Sequence, residues 1–147
     1  MKKIIVAVIL LAILGAGIGL FMKNKKVEGL EDATPSYTIS ATQLFEEFAQ
    51  NETAALNKFR NKVLLVEGAI KDVMPVNDSI ASVLLSGDES GLGNIKCGLG
   101  KDYIAAAKEL NVEETIRIKG ICSGISKIED FGITILDVEL SRCVVVK

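Results

Sequence analysis

The sequence predicts a mainly β domain, a five-stranded Greek-key barrel with one helix between its third and fourth strands. A transmembrane helix and one or two short helices are expected before the barrel. Three observations predict this: an uncharged segment over Ile4–Met22, a helical period after a polar linker, and a period of two that begins near Asn61. We therefore divide the chain into an anchor at 1–22, a polar tether at 23–36 and a domain at 37–147.

The N-terminal segment is long enough to span a bilayer. As a helix its nineteen residues from Ile4 to Met22 reach roughly 28 Å, close to the ~30 Å hydrocarbon core. A cleaved signal peptide is the alternative, with small residues such as Gly17 at the cut. The apolar run up to Met22 and the lysines after it favour a retained anchor. A lipoprotein signal is excluded, because the first cysteine is Cys97.

The charges that flank this segment nearly balance, with Lys2 and Lys3 before it and three lysines at 23–26 after it. The short N-terminal tail favours an N-inside orientation. This predicts a single-pass protein of the inner membrane whose C-terminal domain faces the periplasm or the exterior. Gly15 and Gly19 form a GxxxG pattern that permits a homodimer through this helix, although glycine is also common in membrane helices without that role.

Helical signals open the domain. Ser40 and Gln43 form a capping box, and Asn51 is a suitable cap for a second helical piece. A third, short helix is expected at Tyr103–Leu110, with Asp102 as its cap.

Five segments in which apolar and polar residues tend to alternate, as in β-strands, follow the first two helices. They cover Lys62–Lys71, Ser79–Ser86, Asn94–Leu99, Glu114–Ser123 and Gly132–Val146, the last one broken near Ser141. With a helix between the third and the fourth, this is the element order of the OB-fold. Gly68 and Gly120 fit the strong coiling of so small a barrel. An open α+β sandwich would give a similar order of elements.

Charge and composition restrict the function. Beyond residue 26 the chain carries twelve basic and nineteen acidic side chains, a formal charge of −7. Nucleic-acid binders show the opposite excess, because phosphate contacts supply much of their affinity. The chain has no histidine, the commonest metal ligand and a frequent general base. We therefore expect no catalytic activity, no cofactor and no metal.

The three cysteines are spaced unlike the paired C-x-x-C ligands of a zinc site. They are either buried thiols, or one disulfide with a spare thiol in an oxidising compartment. Strands three and five of an OB barrel are parallel neighbours, so Cys97 and Cys143, both late in those strands, are the preferred pair. Cys122 is expected to face the core with Ile116 and Ile118.

A nucleic-acid platform is not evident in the predicted barrel. OB-folds that bind single strands stack bases on aromatic side chains of strands two and three and surround them with Lys and Arg. Here those strands contain no aromatic residue and one basic residue, Lys96. The remaining candidate ligand-binding residues are basic side chains of the neighbouring first and fourth strands: Lys62, Lys71, Arg117 and Lys119.

Four stretches resemble one known family. After the basic-flanked apolar segment they read VEGLE, YTISATQLFEEFAQNETAALNKFRNKVLLVEGAI, IRIKGICSG and LDVELSRCVVV. The chain resembles the tRNA_anti-like family, small bacterial envelope proteins with an OB-fold that are frequent in Bacteroidetes and often described as lipoproteins. The resemblance implies an OB barrel and an envelope location. It implies no activity, since a fold does not fix a function, and this chain lacks the lipoprotein cysteine.

Two function classes remain. The first is a membrane-anchored OB module that binds an envelope protein, a peptide or a small ligand without catalysis. The second is a nucleic-acid-binding OB protein, which the family's name suggests. The charge of −7 and the lack of aromatic residues on the expected platform favour the first.

Overall fold

A computed structural model describes residues 30–77 and 80–146. The predicted anchor at 1–22, with Gly15 and Gly19, and residues 23–29 of the tether lie outside these residues. Among the helices of the described ranges, none is both long and apolar enough to cross a bilayer.

The elements follow the predicted order, with one strand added at the start. They are β1 (Tyr37–Ser40), α1 (Ala41–Gln50), α2 (Glu52–Phe59), β2 (Val63–Asn77), β3 (Ile80–Ser86), β4 (Gly93–Gly100), a 3-10 turn (Lys101–Tyr103), α3 (Ile104–Lys108), β5 (Thr115–Asp130) and β6 (Ile133–Val146). Strands β2 to β6 correspond to the five predicted strands, and α3 is the helix predicted between the third and the fourth.

The five long strands close into a ring. Their order is β2-β3-β4-β6-β5, and β5 returns to pair with β2. The first half of β2, from Val63 to Ala69, pairs with β5, and its second half, from Ile70, pairs with β3. Strands β4 and β6 run parallel. This is the connectivity of an OB-like Greek-key barrel, so the mainly β, OB-like part of the predicted fold class is confirmed, while β1 makes the sheet six-stranded instead of five-stranded. The pairing of β5 with β2 excludes the open sandwich.

The predicted caps of the first two helices are confirmed. The Ser40 Oγ accepts a hydrogen bond of 3.2 Å from the Gln43 N–H, and the Asn51 Oδ1 accepts one of 3.0 Å from the Ala54 N–H. Each bond satisfies a donor that the helix itself leaves without a partner. The cap predicted at Asp102 is wrong: α3 begins after Tyr103, and no side chain caps it.

Strand β1 was not predicted. It pairs parallel with β2, with Tyr37 opposite Leu64 and Ser40 opposite Glu67. Its four residues, YTIS, alternate apolar and polar side chains, which is the shortest run in which that alternation indicates a strand. They are exposed or half-buried, and pairing with the edge of an existing sheet stabilises them. Sequence reasoning missed this short signal next to the helix cap at Ser40.

The barrel core continues into the helices. The side chains of Leu44, Phe48 and Phe59 are fully buried with the barrel residues, and the Phe48 and Phe59 rings stack with centroids 6.1 Å apart. Helix α1 packs closely on β2, because a Cβ on Gly68 would stand only 2.7 Å from the Ala41 Cβ. The glycine therefore permits the close contact of helix and sheet.

The β5–β6 hairpin is longer than predicted. Strand β5 continues past Ser123 to Asp130, so the two strands extend beyond the segment that pairs with β2. The predicted break near Ser141 corresponds to a bulge, where Arg142 adopts a positive φ of 54° and the register of β5 and β6 shifts.

Candidate ligand-binding surfaces

OB-folds bind ligands on the outer surface of their second and third strands, here β3 and β4, and in this protein that surface continues onto β6. We call it the barrel face and define it by Ser82, Lys96, Gly98, Gly100, Glu139 and Arg142. A shallow groove of about 360 Å³ crosses it. Its charges alternate in sign, since Lys96 is directly opposite Glu139 across the two parallel strands.

The aromatic residues of the domain lie away from the barrel face. Tyr37 contacts Phe59 edge to face, with ring centroids 5.2 Å apart, next to α2. The Phe45 ring fills the space where a Cβ on Gly93 would stand. Tyr103 belongs to the 3-10 turn, and Phe131 lies between β5 and β6 at the tip of their hairpin. Of the described side chains that line the barrel face, none is aromatic.

Lys119, one of the four predicted basic candidates, has a structural role. Its side chain is buried, and its Nζ donates hydrogen bonds of 2.8 and 2.9 Å to the backbone carbonyls of Glu31 and Ala33. Both carbonyls belong to the segment before β1. Lys119 therefore fastens this segment across the outside of β5.

Lys71 also binds within the domain. Its Nζ donates to the Gly91 carbonyl at 2.5 Å and to the Asn94 Oδ1 at 2.7 Å. The Asn94 Nδ2 in turn donates to the buried Asp137 at 2.7 Å. This chain of contacts holds the β3–β4 loop against the barrel.

The other two basic candidates, Lys62 and Arg117, are exposed but distant along the β2–β5 ladder. Lys62 precedes Val63, which pairs with Ile121, whereas Arg117 is opposite Glu67 four positions further along β2. Opposite charges across a ladder attract each other. The four predicted residues therefore do not form one basic surface.

The three cysteines are buried and divide into a pair and a single residue. Cys97 lies on β4 and Cys143 on β6, and the Cys97 thiol donates to the Ile95 carbonyl at 3.9 Å. Interaction with the Cys143 thiol, together with burial, holds the pKa of Cys97 well above its usual range. Cys122 faces the core, as predicted, and burial raises its pKa to about 11. All three thiols are unbridged in the structure. The disulfide between Cys97 and Cys143 stays a prediction for an oxidising compartment.

A second, larger groove lies where α3 meets the start of β5 and the end of β6. We call it the end groove; its volume is about 930 Å³. Its apolar lining consists of Leu110, Ile116, Val144, Val145 and Val146, and its acidic lining of Glu31, Glu67, Glu109 and Glu114. The Tyr103 hydroxyl donates to the Glu31 carboxylate, a contact that raises the pKa of Tyr103 to about 12.

Sequence reasoning missed the end groove, because its residues come from separate segments between Glu31 and Val146. The one signal in the sequence is the apolar end of β6, Val144–Val146, which is longer than the barrel interior needs. Within the described ranges, acidic and cysteine side chains nowhere gather as a metal site.

The closed ring of strands and the helix α3 between β4 and β5 define a small OB-fold domain. The chain belongs to the tRNA_anti-like family, which it matches over residues 1–131. Among curated proteins, none matches the chain significantly.

Solved structures support the fold. A Klebsiella pneumoniae protein, provisionally named a nucleic acid-binding lipoprotein, is 21% identical with a TM-score of 0.56, over 75% of this chain and 91% of that one. Two others are more distant. An Entamoeba histolytica asparaginyl-tRNA synthetase is 19% identical with a TM-score of 0.42, over 60% of this chain and 21% of that one. This chain therefore spans about a fifth of the synthetase's length. The OBody AM3L09, bound to hen egg-white lysozyme, is 18% identical with a TM-score of 0.44, over 61% of this chain and 86% of that one.

Proposed function

We propose that this protein is a membrane-anchored OB-fold module of the cell envelope that binds a protein, a peptide or a small ligand without catalysis. The apolar segment at 4–22 is the anchor, and the barrel faces the periplasm or the exterior. The observation that supports this ligand class is the barrel face, whose lining lacks an aromatic side chain and places Glu139 beside Lys96.

A nucleic-acid ligand would gain little binding free energy on the barrel face. Stacking on aromatic side chains contributes about 1–3 kcal/mol per base in single-strand-binding OB-folds, and the barrel face has no ring to supply it. Glu139 offsets one of the two cations on that face, and the formal charge of −7 beyond residue 26 repels phosphate over longer distances. Both main sources of affinity are therefore weak.

The side chains that could act as catalytic groups favour a non-catalytic role. The sequence has no histidine. The thiols of Cys97 and Cys122 are buried with raised pKa values, so neither supplies a thiolate at neutral pH. The barrel face has one carboxylate, Glu139, and no second carboxylate to complete an acid–base pair of the usual kind.

Nucleic-acid binding is the second candidate. Lys96 and Arg142 both line the barrel face, and the Klebsiella pneumoniae protein carries a nucleic-acid-binding name. Two cationic side chains on one surface could contact neighbouring phosphate groups, and this observation supports the second candidate.

Fluorescence anisotropy separates the two candidates. We expect the full-length protein in neutral detergent to show no micromolar binding of mixed-sequence single-stranded DNA or RNA of about 20 nucleotides at physiological salt. Micromolar or tighter binding that weakens with salt, and that Lys96→Glu/Arg142→Glu removes, would replace the proposed function by the second candidate. The matched control is Lys62→Glu/Lys108→Glu, which changes the net charge equally at exposed positions off the barrel face.

Membrane fractionation tests the anchor. The protein should stay in the membrane pellet through high-salt and carbonate washes, since nineteen apolar residues bind far more strongly than peripheral contacts. Leu11→Arg should release or destabilise the product. A mature N-terminus after Gly17 or Gly19 would show a cleaved signal instead.

A further inference from the structure

The end groove combines an apolar wall with acidic edges. Ile116 and Val144 are buried, and Leu110, Val145 and Val146 are half-buried. A groove of about 930 Å³ is at the upper end of the size range of ligand sites in proteins, which are typically apolar with a few polar groups at the edge.

The acidic edge is only partly neutralised. Arg117 is opposite Glu67 in the β2–β5 ladder and is the single basic side chain among the lining residues. Glu31 accepts a hydrogen bond from Tyr103, and Glu114 accepts one of 3.3 Å from the Asn111 N–H. Both donors are neutral groups, so neither adds a positive charge to the groove. Four glutamates and one arginine leave the lining with a formal charge of −3.

We propose that the end groove binds a basic, amphipathic peptide segment of a partner protein. Apolar side chains of the peptide pack on the half-buried Leu110, Val145 and Val146. Its Lys or Arg side chains bind the carboxylates of Glu109 and Glu114. This inference rests on the proposed function, because it names the partner of a non-catalytic binding module.

Other ligand classes fit the groove less well. Nucleic acids and anionic lipids carry the same sign of charge as the edge and are repelled. A small polyamine would satisfy the carboxylates but would leave the apolar wall in water. A basic amphipathic peptide is complementary to both parts.

The test uses the full-length protein in neutral detergent and a labelled peptide of about ten residues that alternates lysine with leucine. We expect micromolar affinity, at least tenfold tighter than for a peptide of glutamate and leucine or one of lysine and serine. Glu109→Lys/Glu114→Lys should weaken binding at least tenfold. The matched control, Glu129→Lys/Asp130→Lys, makes the same charge change on the β5–β6 hairpin and should leave the affinity unchanged.

Three outcomes would overturn the proposal: no binding, equal loss in both double variants, or binding that appears only after Lys23, Lys25 and Lys26 are replaced by glutamine. The last result would make the chain's own lysine segment the occupant. If the charge-reversed protein fails to fold, Glu109→Gln/Glu114→Gln takes its place, with a smaller expected loss of about threefold. Failure here leaves the proposed function standing, because the oligonucleotide titration tests the barrel face separately.

Discussion

The Sγ atom of Cys143 lies 2.6 Å from the position that a Cβ on Gly120 would take. The Leu140 Cβ is 3.2 Å from the same position. Strand β5 therefore needs a glycine at this point so that the thiol pair of β4 and β6 can pack against it. The curvature of the barrel and the site of the predicted disulfide depend on the same contact.

Gly120→Ala should destabilise the domain by about 1–3 kcal/mol, the usual cost of overpacking a core. Cys143→Ala should recover much of that loss in the double variant, because it removes the sulfur that the new methyl group meets. Urea unfolding of the two single variants and the double variant measures this coupling. Gly98→Ala is the control: its nearest contact would be an ordinary 3.6 Å to the Leu140 carbonyl. A cost for Gly120→Ala no larger than for Gly98→Ala would contradict the packing argument.

The thiol pair makes a prediction about redox state. Protein purified from its native cells without reductant should contain one free thiol of three after unfolding, and peptide mapping should link Cys97 to Cys143. The reason is that these two residues lie two ladder positions apart on the paired strands β4 and β6, where Cys143 is opposite Leu99, whereas Cys122 faces the core. Three free thiols in that material would contradict both the disulfide and the exported orientation.

Alkaline pH should destabilise the reduced domain. Burial raises the pKa of Cys122 from 9.0 to about 11, so between these values the unfolded chain loses a proton that the folded chain retains. The free energy of unfolding therefore falls as pH rises from about 9 to about 11, by roughly 1.4 kcal/mol per pH unit at most for this one group.

Cys122→Ala isolates that contribution, since Cys97 and Tyr103 also have raised pKa values and act in the same direction. Urea unfolding of both proteins in reductant at pH 8, 9.5 and 11 gives the comparison. The variant should be less stable at pH 8 and lose less stability on the way to pH 11. Parallel pH profiles would show that the Cys122 thiol is not shielded as described.

Two features of the tip of the β5–β6 hairpin lower the stability of the domain. Phe131 is 97% exposed and has a φ of +48°, next to Gly132 at +78°. Two positive φ values in succession are typical of a type I′ turn, which favours asparagine followed by glycine. Phe131→Asn should therefore stabilise the domain by about 0.5–1 kcal/mol.

Phe131→Ala is the control for this substitution, because it removes the exposed ring without relieving the backbone. Thermal unfolding compares the three proteins. An equal gain from alanine would show that the ring, and not the backbone angle, causes the penalty.

The barrel could be predicted because the sequence signals of its strands, turns and helix caps lie in short, continuous stretches. A period of two, turn residues and the caps at Ser40 and Asn51 each occupy a few consecutive positions, and the OB order follows from them. Strand β1 has a signal of only four alternating residues directly before the cap of α1, and sequence reasoning missed it.

The surfaces were harder to predict, because they depend on contacts between distant parts of the chain. Lys119 binds carbonyls 86 and 88 positions away, so its position on β5 did not reveal that its charge is occupied. The end groove likewise forms only when Glu31, α3 and the end of β6 meet.

The ultraviolet spectrum of the full-length protein, purified from its native cells at low salt in a non-absorbing detergent, shows directly whether the domain carries nucleic acid. The chain has no tryptophan and two tyrosines, so even a short bound oligonucleotide would dominate the absorbance at 260 nm. The account predicts the weak tyrosine band alone. A 260 nm band that nuclease or high salt removes from wild-type protein, and that is absent from Lys96→Glu/Arg142→Glu, would contradict it.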